Sequence, residues 1–264
     1  MSSSPISLTY RTDAVLDAAI VAGCATEPVL EADGDGIHQT AWALSGEAAD
    51  ALVAAMGDRP LYVTDGHHRL AAAVEARHRN PDIGDDHPLQ WTQAVLFPDA
   101  EMQVLAAHRR VGDRAGRSTD DLVEALTAIG PLTPCADVAE ARPDDAGAIG
   151  VYVGGRWFSM DLPAASGSRA VDQLDVSRLQ DGILAPVMDI TDPGSDPMID
   201  YVPEPVGISA LVARCDADGR VGFVLHATSV AEMMAVADEE GLMPPKSSYF
   251  EPKPRSGVFV RRLD

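Results

Sequence analysis

The chain is short of basic charge, of lysine in particular, of aromatics and of cysteine. Its 20 Lys and Arg face 41 Asp and Glu, giving a formal net charge of -21. That excess repels phosphate backbones at long range, so a nucleic-acid partner is disfavoured. The same acidity also suits a GC-rich genome or a salty cytoplasm and then needs no partner to explain it. Cys24, Cys135 and Cys215 are far apart and odd in number, so neither a disulfide framework nor a CxxC metal knuckle can be read from them, and core thiols are expected. No apolar run approaches the roughly 20 residues that cross a bilayer, and residues 1–5 lack the basic start and apolar stretch of a signal peptide. The expectation is a cytoplasmic protein with no membrane partner. The GxxxxGK[ST], GxSxG, HExxH and GxGxxG motifs are all missing, so any nucleotide site must be of another kind.

What is present is a globular composition, with 46% apolar and 23% charged residues over 264 positions. This excludes wholesale disorder and allows one large domain or two intimate ones. Thr12 can cap a first helix that Gly23 ends. Segments 28–31 and 37–44 read as strands around the Asp-Gly turn at 33–36, and Ser45 can cap a helix through Met56. The apolar burst at 61–63 stops at Asp65-Gly66, after which 70–79 is alanine-rich and helical. Segments 91–97 and 102–111 look like paired strands, and Ser118 can cap a helix through Ile129. Strands 149–153 and 157–162 flank Gly154-Gly155, and 172–184 is helical. The proline-bearing stretch 189–205 reads as a long ordered loop. A strand at 221–226, a helix at 230–240 and a strand at 258–262 complete a mixed α/β chain without βαβ alternation. A division into portions 1–115 and 116–264 is expected.

Asp65-Gly66-His67-His68-Arg69 is the sharpest chemical signal. Gly66 permits a tight turn, and the amides that open the following helix present free N–H groups and a positive dipole end to an anion. Arg69 adds a guanidinium able to grip phosphate through two parallel bonds. Asp65 could hold magnesium or accept a proton, and His67 and His68 could serve as acid, base or phosphate donor.

The only two lysines, Lys246 and Lys253, fall in one proline-punctuated segment of a chain with 18 arginines. A retained lysine there suggests a need for a compact ammonium charge, with Ser247 and Ser248 completing a second anion cradle. His108-Arg109-Arg110 could enter the same cleft or form a surface basic patch. Asp33, Asp35 and His38 fit no calcium loop, and the hairpin turn accounts for them.

The turn from Val63 to Arg69, the segment from Met243 to Lys253 and the following Ser256-Gly257 together resemble a widespread prokaryotic family, domain of unknown function 1015. His108-Arg109 and Leu174-Asp175-Val176 are similar too, so the resemblance covers nearly the whole chain. It implies a ParB/sulfiredoxin-like core with a mixed sheet in the first portion, and an additional α/β portion ending in the Lys246–Lys253 motif. That fold includes free-serine kinases, DNA-partition CTPases and sulfiredoxins. Carried over, Gly66, His67, His68 and Arg69 would contact nucleotide phosphates, and Asp65 would act near the transferring phosphoryl group. Family members usually carry a further N-terminal segment, and this chain is expected to begin beyond it. Of the glutamates that could activate an acceptor hydroxyl, only Glu27 and Glu31 could stand in.

The resemblance therefore implies a nucleotide-dependent phosphotransferase, using Mg2+ with ATP or ADP, acting on a small hydroxyl metabolite such as free serine or running in reverse on phosphoserine. A non-catalytic nucleotide or phosphometabolite binder and a ParB-like DNA-binding or nuclease protein remain as alternatives. The oligomeric state is open.

Overall fold

The computed structural model describes residues 4–34 and 36–261. It divides into two compact units, Met1–Met102 with Lys253–Asp264, and Gln103–Pro252. The division expected at 115/116 moves to 102/103 because strand Ala107–Val111 pairs on both edges with strands from residues 199–225 and so belongs to the second unit.

The first unit runs β1 (Ile6–Tyr10), α1 (Ala14–Gly23), β2 (Leu30–Gly34), β3 (Ile37–Ala41), α2 (Glu47–Met56), β4 (Tyr62–Asp65), α3 (His67–His78) and β5 (Ala94–Pro98). Its three-stranded sheet has the order β4-β1-β5, with β1 antiparallel to β4 and parallel to β5. The sheet is therefore mixed. Ile6, Tyr10, Leu16 and Tyr62 are buried, and Thr64 donates a buried hydrogen bond to Ser7 Oγ at 2.8 Å, fixing the end of β4 against β1. The cap of α1 is Asp13 rather than Thr12, because its carboxylate accepts from the Val15 and Leu16 amides at 2.9 and 3.0 Å. Ser45 caps nothing, since α2 follows Gly46. β2 and β3 pair as the expected hairpin. Its turn residue Asp35 lies outside the described residues.

The second unit runs β6 (Gln103–Leu105), β7 (Ala107–Val111), α4 (Thr119–Thr127), β8 (Thr133–Cys135), α5 (Val138–Ala141), β9 (Ala148–Val153), β10 (Arg156–Asp161), α6 (Ala170–Gln173), α7 (Asp175–Leu179), α8 (Ala185–Met188), β11 (Ile199–Pro203), α9 (Ile208–Asp218), β12 (Val221–Leu225), α10 (Val230–Asp238) and β13 (Tyr249–Glu251). Six strands form an antiparallel sheet of order β11-β7-β12-β9-β10-β8. Alternation along its strands separates two cores. Val111, Val151, Phe223 and Ile199 pack with α4, α7 and α10 on one face, while Tyr152, Val202 and Val224 pack with Leu211 and Cys215 of α9 on the other. Central strand β12 is buried throughout, as a strand covered on both faces must be.

Three expectations change. Segments 91–97 and 102–111 do not pair with each other: β5 pairs with β1, β6 with β13, and β7 with β11 and β12. The proline-rich stretch expected as a loop contains β11, which tolerates its terminal Pro203 because it is an edge strand. Residues 258–260 are bends and coil rather than strand, and Arg262 lies outside the described residues.

Candidate functional site

β4 ends at Asp65, and Gly66, at φ +94, turns the chain directly into α3. Only glycine adopts that left-handed backbone without steric cost. The Leu70 amide donates to the Gly66 carbonyl at 2.9 Å as the first helical bond. The amides of His67, His68 and Arg69 therefore have no acceptor within the helix. No side chain caps them, and the first turn carries no acid.

Arg69 folds back over this turn. Its Nη2 donates to Asp65 Oδ2 at 2.7 Å, and its Nε and Nη2 lie 2.8 Å from where a Cβ on residue 66 would sit. Gly66 thus supplies both the turn and the room for the guanidinium. Open amides, a positive helix end and a braced guanidinium converge at one exposed place, which is the arrangement that binds a phosphate group. Asp65 and Arg69 remain accessible, their side chains 51% and 41% exposed, and His67 and His68 are exposed beside them.

Arg69 also lines a cavity of about 310 Å³ in the same unit, with Ala72 and Ala73 of α3, Trp91 and Arg261. The alanines leave the space open. Arg261 Nη2 donates to the Pro88 carbonyl at 2.7 Å, while its Nε and Nη1 are buried with no partner among the described residues. Trp91 is 66% exposed, and its indole N–H donates to the Asp85 carbonyl at 3.2 Å, which fixes the ring. Sequence reasoning passed over both residues by assigning them to strands. An arginine among 18 carries no signal of its own, whereas Trp91, one of three tryptophans in an aromatic-poor chain, could have been noticed.

The other expected residues fall in different places. His108 is fully buried and engaged at both ring nitrogens: its Nε2 lies 2.7 Å from Glu204 Oε2, and its Nδ1 accepts from the Leu225 amide at 3.3 Å. This pairing makes the ring neutral with the proton on Nε2. Burial holds its pKa below the usual histidine value against the opposing pull of Glu204. Arg142 donates to the other Glu204 oxygen at 2.8 Å. Neighbours on one strand face opposite ways, so His108 and Arg109 cannot enter one cleft together. Arg109 turns instead to the face of Tyr201.

Lys246 is exposed in the second unit at φ +54 and Lys253 is exposed in the first unit. Ser247 is buried with its hydroxyl unpartnered among the described residues, and Ser248 is half-buried. Glu27 and Glu31 are exposed. His38 bonds to Asp33 at 2.8 Å across the hairpin. Among the described residues no group of three His, Cys, Asp or Glu side chains is placed to hold a metal ion, and no helix is long and apolar enough to cross a membrane.

No curated protein matches the chain. Among solved structures, a variant free serine kinase in complex with AMP is similar at 13% identity and a TM-score of 0.41, over 95% of this chain and 89% of that one. A variant of that kinase in complex with ADP is similar at 14% identity and a TM-score of 0.41, over 92% and 83%. A conserved hypothetical protein from Pyrococcus furiosus is similar at 16% identity and a TM-score of 0.40, over 78% and 76%. The family model described as protein of unknown function (DUF1015) matches residues 1–177, well over half of the chain, which therefore belongs to that family.

Proposed function

We propose that the protein is a nucleotide-dependent phosphotransferase whose nucleotide phosphates sit on the Gly66 turn. The observation that supports this reading is the uncapped first turn of α3 with Arg69 braced by Asp65 across Gly66. Phosphoryl transfer needs little covalent work from the protein beyond positioning and neutralising charge. The His67 and His68 amides and the Arg69 guanidinium bind the terminal phosphates, and Arg261 supplies a second cation in the adjoining cavity. Trp91 offers a flat ring on which a base can stack.

The acceptor is a small hydroxyl metabolite, with free serine the first to test. Its hydroxyl oxygen forms the new bond to the terminal phosphorus as the bond to the leaving phosphate breaks, and its proton passes to one of the exposed imidazoles, His67 or His68. Magnesium bound with the nucleotide would neutralise phosphate charge. Asp65 is the carboxylate in the turn that could help hold it, and one carboxylate together with phosphate oxygens suits that ion.

The test is phosphorus NMR of ATP or ADP with Mg2+ and serine, and of phosphoserine with AMP or ADP for the reverse reaction. Turnover that is lost in His67→Ala or His68→Ala while nucleotide binding remains supports the assignment. Saturable nucleotide binding with no turnover of any hydroxyl metabolite would reduce the protein to a binder of nucleotides.

A further inference from the structure

The second unit holds a cavity of about 130 Å³ with Arg109 in its wall. Arg109 is 4% exposed, and among the described residues it forms no ion pair. One of its guanidinium nitrogens donates to the Ala107 carbonyl. Its cross-strand partner Tyr201 lies under the guanidinium face, 5.1 Å from the ring centroid, and the tyrosine is itself locked by a 2.6 Å bond to the Pro193 carbonyl. A buried cation without a counter-ion is costly, so a sequence that keeps one beside a cavity implies that a counter-ion arrives from outside. Burial lowers the Arg109 pKa only to about 10, so the charge persists at pH 7.

The walls constrain that anion. Asp172 and Asp181 also line the cavity, but their carboxylates are engaged by the Arg169 amide at 3.0 Å and the Ser166 hydroxyl at 2.7 Å rather than by Arg109. Neither carboxylate pairs with the guanidinium, and their negative charge repels a dianion more strongly than a monoanion, so the anion that suits Arg109 carries a single charge. The cavity is small against the roughly 300–1,000 Å³ of sites for drug-sized ligands, so the ligand has few heavy atoms. With its face covered by Tyr201, the guanidinium presents its edge, which matches a planar carboxylate through two parallel bonds. Ser177, which also lines the cavity, offers a further polar contact in the wall.

We propose that this cavity is a binding site for a small carboxylate monoanion, held by Arg109 on the Tyr201 ring and independent of the nucleotide site.

The test uses the whole chain with 15N-labelled arginine, titrated at pH 7 with sodium acetate, with inorganic phosphate, and with sodium chloride at matched ionic strength. The Arg109 Nε–H resonance should shift saturably with acetate, at least tenfold more tightly than with phosphate, and not with chloride. Acetate behaving like chloride, or phosphate binding more tightly than acetate, would overturn the proposal. Arg109→Gln assigns that resonance by removing it, and should also abolish acetate binding measured by calorimetry. Ser177→Leu serves as a second variant should the first fail to fold, filling the cavity with the guanidinium retained. A loss of at least tenfold in acetate affinity is expected there, and unchanged affinity in a folded Ser177→Leu protein would contradict the site.

Discussion

Arg69 is held by one carboxylate oxygen of Asp65 at 2.7 Å, an exposed pair that stabilises the fold by no more than about 0.5 kcal/mol. In the proposed site its work is on a ligand. Arg69→Lys keeps the charge but loses the planar fork, so ADP affinity measured by calorimetry should fall at least tenfold, about 1.4 kcal/mol. The melting temperature of the free protein should stay nearly unchanged, and equal ADP affinity would remove Arg69 from the site.

His108 is the opposite case, since its work is on the fold. Burial depresses its pKa below 6.5, against the pull of Glu204 and with the support of nearby Arg142 and Arg109. The unfolded chain therefore binds the proton first as pH falls, so this contribution is complete above pH 6.5 and is lost as pH drops toward the lower folded value. His108→Gln, which can keep both hydrogen bonds, should flatten the fall in stability below pH 6.5 seen in denaturant unfolding of the parent chain. An identical slope in both proteins would show that other groups set it.

At the scale of elements, side chains cap α1, α4, α5 and α10 at Asp13, Ser118, Asp137 and Ser229, whereas α2, α3 and α9 each begin on a glycine with no side-chain cap; the glycine of α3 is the one against which an arginine, Arg69, is folded. Gly66→Ala should cost about 1–2 kcal/mol for the left-handed backbone. It should also weaken ADP binding, because the new Cβ would meet the Arg69 guanidinium at 2.8 Å. In the second unit, Gly150 lets α5 lie against β9, and a Cβ there would stand 2.7 Å from the Ala141 carbonyl. Gly150→Ala should cost about 1–3 kcal/mol in denaturant unfolding and leave ADP affinity alone.

These elements also explain what could be read from the chain beforehand. The helix after Ser118 was legible because its cap and its apolar face agree. The hairpin around Gly154-Gly155 and the strand-turn-helix at Asp65 were legible because glycine and charge mark them locally. The partners of β7 were not, since its neighbours in the sheet come from residues 199–203 and 221–223 and no local pattern encodes such distant pairing. Helix α9 was hidden because its start, Gly207 after Pro203 and Pro205, looks like the end of a loop. The site was half visible: the turn was, but Arg261 was not, because its role depends on a cavity formed by residues from β1, α3 and the chain before β5.

For the whole molecule, a net charge of -21 means self-repulsion within the compact state. Raising sodium chloride from low concentration to about 0.5 M, where the Debye length falls to a few ångströms, should raise the melting temperature. A lower melting temperature in salt would mean that ion pairs such as Arg110 with Asp200 and Asp218, both at 2.7 Å, outweigh the repulsion. The same charge makes Arg69 and Arg261 of the proposed site stand out against an acidic background.

The most direct measurement is a titration of the whole 15N-labelled chain with ADP and Mg2+, following the backbone amides. The largest shifts should fall on Gly66, His67, His68 and Arg69, with the Trp91 indole N–H moving alongside. Saturable binding that leaves these amides in place, or no binding at all by a cooperatively melting protein, would contradict the nucleotide site at the start of α3.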